Sequence, residues 1–322
     1  MNTPIFHSIL AEPLAQFVQY KRALNRKYRT EEAALRLLDR YLSEHAVVSW
    51  EAIDSVLIDP FLKSRPRARP CSYNHLVGVL HRFFAWAVLQ RLTTQNPVTV
   101  RPRRDTGQRI PYLFDLHDAK RLLGLARTLP DNPRAPHRAL VYETVFALLY
   151  GLGLRVGEVG RLNLKDVDLA QATLFVRETK FSKSRIVPVG PRLAERLRCY
   201  IERRYGNSPD PELPLFTFAP PRSIGRNTIT QTFHKLIPKL ELRILAGVSP
   251  PRLHDLRRSF AVRTLLRWYR EGVDPNTRLM HLATFLAHVD PTSTAVYLPI
   301  TEELLHEADQ RFRALAPKGG AQ

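Results

Sequence analysis

Cysteine is almost missing: Cys71 and Cys199 are two isolated thiols in 322 residues, which excludes a disulfide scaffold and fits a reducing compartment. Long apolar runs are missing too. The longest, around Val145 to Leu149, is far below membrane-spanning length. The opening stretch up to Arg22 has no basic segment ahead of an apolar core, so no secretory leader is expected and the protein is read as soluble and cytosolic. There is no Gly-x-x-x-x-Gly-Lys loop for nucleotide phosphates, no carboxylate cluster for paired Mg²⁺, and no Cys/His set at zinc spacing. His281 and His288 share a helix face two turns apart, but without a third ligand they predict no metal site. Internal repeats are absent.

Positive charge is abundant. Lys+Arg total 49 against Asp+Glu 30, a net charge of +19, so the expected partner is a polyanion. Residues 1–104 hold 16 basic and 8 acidic side chains and the remainder 33 and 22, so both halves are basic and the charge is no tail. Arginines number 39 and lysines 10, a choice that suits forked phosphate contacts, although GC-rich coding would also produce it.

Apolar residues at helical spacing predict helices over 10–28, 31–45 behind a Thr30 cap, 50–62 and 73–92, a four-helix module. Between the last two lies Lys63-Ser-Arg65-Pro-Arg67-Ala-Arg69-Pro, either a solvated loop or, given the net charge, a phosphate contact. Prolines and arginines over 96–111 mark a linker, dividing the chain into 1–104 and 105–322. Helices are then expected at 115–128, 137–150 (central, being apolar nearly all round), 191–205, 227–240, 254–270, 278–286 and 302–315. The period changes to two over 172–177 and 185–189, which predicts a pair of strands joined by a polar tip at 178–184. The fold class is therefore mainly α, with a small antiparallel sheet inside the second domain.

Four motifs carry the chemistry. In Gly151-Leu-Gly153-Leu-Arg155-Val-Gly-Glu158, glycines allow a tight turn that can aim Arg155 into a cleft; the plainer alternative is a helix break with Arg155 solvated and paired to Glu158. The tip Thr179-Lys180-Phe-Ser-Lys183-Ser-Arg185 can extend a cation toward a ligand, or be an ordinary surface loop. His254-Asp-Leu-Arg257 opens a helix, setting a proton-transfer group beside a fixed cation where the dipole also favours an anion. Phe285-Leu-Ala-His288 is followed nine residues later by Tyr297.

In that order, GLGLRVGE, TKFSKSRIVPVG, HDLRRSFA and LAHVDPTSTAVYLP resemble the signature of the tyrosine recombinase, or phage-integrase-like, family over about 110–310. The resemblance implies an integrase-like catalytic domain behind a helical domain that grips double-stranded DNA. It implies Arg155, Lys180 (or Lys183), His254, Arg257 and His288 as the residues around a phosphate, Glu158 as support for Arg155, and Tyr297 as the nucleophile. It further implies strand cutting and rejoining through a 3′-phosphotyrosine link without metal or ATP, serving a mobile element in a bacterial cytosol. Relatives act as four protomers on two DNA sites and exchange C-terminal segments, for which 302–315 is the candidate here; a mixed assembly with related recombinases is the other possibility. Arg258 in place of the usual histidine, Leu-Ala-His in place of Leu-Gly-His, and Leu-Pro after Tyr297 depart from the commonest pattern and lean away from the housekeeping chromosome-dimer resolvases. The rival readings are a type IB topoisomerase and a non-cleaving DNA-binding accessory subunit.

Overall fold

The computed structural model describes residues 6–104, 109–177 and 184–287. Lys180, Lys183, His288, Tyr297 and the expected helix 302–315 lie outside the described residues. The chain divides into two compact units, Met1–Gln108 and Arg109–Gln322.

The first unit holds α1 (Ala11–Ala23), α2 (Arg29–Glu44), α3 (Ser55–Lys63) and α4 (Pro70–Leu89). Each helix turns one apolar stripe inward: Leu14, Phe17 and Val18 meet Leu35, Leu38 and Leu42, Ile58 and Phe61, and Leu76, Leu80, Phe83 and Phe84. Phe17 and Phe83 pack edge to face with centroids 5.5 Å apart. Two buried carboxylates are satisfied within this unit. Asp39 accepts the backbone N–H groups of His7 and Ser8, and Glu32 accepts from Arg22 and Arg36.

Several boundaries differ from those expected; α4, for one, starts and ends three residues before the expected 73–92. The first helix stops at Ala23 rather than running to residue 28, because Asn25 turns left-handed (φ 58°), a conformation asparagine tolerates, and Arg26 N–H closes back on the Lys21 carbonyl. The third helix begins at Ser55, not Trp50, since Asp54 is its N-cap and accepts the Leu57 N–H at 3.0 Å. Nor does Thr30 cap α2; the N-cap is Tyr28, in the left-handed region.

The second unit is built round α6 (Arg138–Gly151), in which every residue from Val141 to Tyr150 is buried, as its apolar composition predicts. Packed on it are α5 (Leu116–Arg127), α8 (Pro191–Tyr205) and α10 (Asp255–Arg270). The short α7 (Val156–Val159) follows the Gly151-Leu-Gly153 turn, α9 (Arg226–Leu236) precedes a 3₁₀ turn, and α11 (Pro275–Phe285) is the last described helix. The expected helix 227–240 tightens to 3₁₀ geometry from Ile237, where Pro238 has no N–H to continue the α-helical ladder. The final described helix starts three residues before the expected 278, with Pro275 first, a position that needs no N–H.

The sheet is antiparallel with order β1 (Val167–Asp168), β2 (Thr173–Val176), β3 (Arg185–Pro188). Leu174 pairs with Val187 and both face the core, whereas Phe175 and Ile186 pair on the outer face. The two predicted strands are present; β1, only two residues long, was not anticipated because so short a segment shows no periodicity.

Candidate active site

Gly153 sets the geometry of the first motif. Its φ is +59°, and a Cβ there would come 2.6 Å from Cδ1 of Phe260 and 3.1 Å from Cδ2 of Leu286, so only glycine fits. The turn hands the chain to α7 with Arg155 as its N-cap residue. Arg155 N–H donates to Glu158 Oε2 at 2.9 Å, its Nη1 donates to Oε1 at 2.9 Å, and its Nη2 donates to the Ala287 carbonyl at 2.9 Å. The predicted pairing of Arg155 with Glu158 is thus present, but Arg155 is half-buried rather than solvated, and Glu158 is buried at 2% exposure.

Glu158 also accepts from Arg185, whose Nη1 lies 3.2 Å from Oε1 and Nη2 3.0 Å from Oε2. Burial acts to raise the Glu158 carboxyl pKa, but Arg185 and then Arg155 outweigh it and hold the group below the ordinary carboxylate value. Arg185 Nε donates to the Phe285 carbonyl at 2.8 Å. Sequence alone reads Arg185 as the last residue of the cationic tip motif and the first of a strand; its bonds to Glu158 and the Phe285 carbonyl are not foreseen. The signal was available, since in a strand it shares the inward face with buried Val187.

The third motif arrives on α10. Arg257 is 1% exposed; Nη1 donates to the Gly153 carbonyl at 2.6 Å and Nη2 to the Leu286 carbonyl. Three arginines from separate segments therefore take three consecutive carbonyls, Phe285, Leu286 and Ala287, at the C-terminal end of α11. Helix ends leave such carbonyls without intrahelical partners and favour cations there. Ala287 itself is left-handed (φ 50°), and the next residue in the sequence is His288.

His254, the N-cap residue of α10, keeps exposed surface. Packing against the protein, followed by the charges of Arg257, Arg258, Arg155 and Arg109, pushes its pKa down to about 4, so it is neutral at physiological pH. The neighbouring Asp255 is fully buried and anchors this corner: it accepts from Arg109 Nη2 at 2.8 Å and from Arg252 N–H at 2.8 Å, with Arg258 Nη1 at 3.5 Å. Arg109 also reaches the Pro250 carbonyl at 2.7 Å. Neither Asp255 nor Arg109 was anticipated; an acidic residue in a helix's first turn was the visible hint.

The described structure thus brings Arg155, Glu158, His254 and Arg257 into one electrostatic cluster. Among the described residues, no three His, Cys, Asp or Glu side chains gather as a metal site requires. None of the described helices is long and apolar enough to cross a membrane.

The sequence profile of the Phage integrase family matches residues 114–303. The chain belongs to this family of tyrosine recombinases. A putative integrase/recombinase, y4rB of Sinorhizobium fredii (strain NBRC 101917 / NGR234), is 32% identical over 312 residues, spanning 95% of this chain and 97% of that one. Tyrosine recombinase XerA of Pyrococcus horikoshii is 28% identical over 64% of this chain and 63% of its own length. Among solved structures, the recombinase fold is shared with a Tn1549 transposon integrase in complex with transposon right end DNA (TM-score 0.66, 16% identity, 96% of this chain and 100% of that one). It is shared also with a lambda integrase dimer bound to a COC′ core site (TM-score 0.64, 16% identity, 88% and 96%). The mainly helical architecture with a small antiparallel sheet is the one the sequence motifs imply for a tyrosine recombinase.

Proposed function

We propose that this recombinase cuts and rejoins double-stranded DNA through a covalent link between Tyr297 and a 3′-phosphate, in the service of a mobile element. One observation carries the reading: Arg155 and Arg257, from separate segments, donate to adjacent carbonyls of the turn that runs straight into His288 and, nine residues on, Tyr297.

A phenol of pKa about 10 is only about one part in a thousand ionised at pH 7, a deficit of about 4 kcal/mol. His254, held neutral by its packing against the protein and then by the guanidinium groups around it, has a lone pair to take that proton. A bound phosphodiester brings a negative charge that offsets those cations and raises the imidazole toward a basicity suited to the task. As the phenolic oxygen bonds to phosphorus and the 5′-oxygen departs, charge on the non-bridging oxygens is met by Arg155 and Arg257, with His288 a further donor. Lys180 supplies the proton to the leaving 5′-oxygen, with Lys183 the alternative. The phosphotyrosyl ester conserves the broken bond's energy, so a 5′-hydroxyl from another strand reverses the step.

Arg257 is enclosed by the Gly153 and Leu286 carbonyls, so a phosphate reaches it by displacing one of them. An anionic oxygen accepts a stronger hydrogen bond than a neutral carbonyl, so the exchange is favourable. Similarity to recombinases solved on DNA supports duplex DNA as partner; four protomers on two sites is the assembly implied by the resemblance of the sequence motifs to the family. A duplex nicked near the cut position traps the adduct, because the short fragment that carries the released 5′-hydroxyl diffuses away. The native chain should accumulate a protein–DNA adduct and Tyr297→Phe none; equal trapping would remove Tyr297 as the nucleophile. Strand transfer between two sites, rather than relaxation of one plasmid, distinguishes recombination from topoisomerase action.

A further inference from the structure

Arg155, Arg257 and Arg185 all hold the end of α11, yet they are not equivalent. Arg155 and Arg257 bond main-chain carbonyls that a phosphate oxygen can replace. Arg185 bonds both oxygens of the buried Glu158 carboxylate and, through Nε, the Phe285 carbonyl; its side chain is only 10% exposed. It is the first residue of β3, so it also fixes the strand that emerges directly from 178–184, where Lys180 and Lys183 lie in the sequence.

We propose that Arg185 is the positioning residue of this site: by bonding Glu158 and the Phe285 carbonyl at once, it locks the Arg155 turn, strand β3 and the end of α11 into one register. Resting on the reading of Tyr297 as nucleophile, this assigns Arg185 a task that touches neither DNA nor the reacting atoms. A guanidinium can do this because its donors point in several directions within one rigid plane. A lysine ammonium at the same place reaches Glu158 or the carbonyl, not both. When DNA draws Arg155 or Arg257 off the carbonyls, the Arg185 bonds remain, and the end of α11 keeps its place.

The test uses the full chain and a nicked duplex carrying the cleavage position, mapped beforehand on DNA flanking the gene. Arg185→Lys and Arg185→Gln are compared with native protein for duplex affinity, thermal midpoint and the rate of adduct formation at saturating DNA. Misplacing a reacting group by about 1 Å costs on the order of 100-fold in rate, so Arg185→Gln should lose roughly 30- to 100-fold. Arg185→Lys should recover part of that loss, and affinity should stay within about 3-fold of native for both, because the contact lies off the DNA. The double variant Arg185→Gln/Glu158→Gln should be no slower than the slower single variant, since both break one linkage. Native rates in both single variants, or fully additive losses in the double, would overturn the proposal while Tyr297→Phe still blocks the adduct. Parallel losses of affinity, midpoint and rate in both variants would mark Arg185 as merely structural and overturn it as well. If Arg185→Gln does not fold, Arg185→Lys decides alone by the same split between affinity and rate. Adduct formation by Tyr297→Phe would overturn the underlying reading and this proposal with it.

Discussion

Arginine is used in opposite ways by the two units. At the entry to α4 in the first unit, Arg69, Arg101, Arg103 and Arg104 are exposed. What is ordered there is mostly backbone: Asn74 pairs with both the N–H and the carbonyl of Arg103 at 2.7 Å each, and the Arg103 guanidinium lies 3.8 Å over the Tyr73 ring and donates to the Arg67 carbonyl. The 63–70 loop and the 101–104 segment, separate in the sequence, thereby become one basic patch. In the second unit Arg155, Arg185 and Arg257 are enclosed to differing degrees and aimed at one carboxylate, Glu158, and four carbonyls, those of Gly153, Phe285, Leu286 and Ala287. Equal charge thus supports two kinds of contact. Exposed cations act through summed field and tolerate exchange, whereas enclosed ones act through geometry and do not.

The largest effect should come from violating that geometry while keeping the charge. Arg257→Lys preserves +1 but cannot fork between the Gly153 and Leu286 carbonyls. Adduct formation at saturating DNA should fall roughly 100- to 1,000-fold, the loss seen when an oriented donor to a charged transition state is removed. A rate within about 3-fold of native would reduce Arg257 to a generic cation and erase the contrast between the units.

Next is the exposed patch. Replacing Arg69, Arg101 and Arg104 by glutamine should weaken duplex binding at every sequence tested and flatten the dependence of log K on log salt by about 2 to 3, if each contacts one phosphate. The adduct rate at saturating DNA should hardly change. An unchanged salt slope would move the DNA-contacting surface of the first unit elsewhere.

A subtler effect separates His254 from an ordinary surface histidine. Its pKa is about 4 in the folded chain against an ordinary 6.5. Between those values the unfolded chain takes up a proton that the folded one refuses. This residue's contribution to stability is therefore complete above about pH 6.5 and lost as pH falls toward 4. Denaturation of His254→Gln followed across that range should show a shallower decline than native protein. Identical curves would mean that neither packing nor the surrounding guanidinium groups perturb this imidazole.

Much of this arrangement was legible in the sequence because it is local. The apolar wrap of α6, the period-two strands and the four ordered motifs each show in a window of a few residues. The pairing of Arg109 with Asp255 and the three-way bond of Arg185 are not local; tertiary folding brings those residues together from distant segments, and no periodicity records it. Boundaries went astray where one residue's backbone overrode the pattern, as at Asn25. Departures from the family motif were readable as letters but not as strain. Leu-Ala-His in place of Leu-Gly-His was such a letter, and its meaning is a left-handed alanine.

That alanine yields the smallest expected effect. Ala287 has φ 50°, a region where a Cβ costs roughly 1 kcal/mol and which helices most often enter through glycine. Ala287→Gly removes the clash but enlarges the unfolded chain's freedom, so the net gain should be about 0.5 kcal/mol, raising the melting temperature by about 1–2 °C. The carbonyl that receives Arg155 Nη2 is main chain and survives the substitution, so the adduct rate should stay within about 2-fold of native. A lower melting temperature would mean that the left-handed turn costs little here because three guanidinium groups impose it. The arginines would then determine the backbone as well as hold it, which no exposed arginine of the first unit is placed to do.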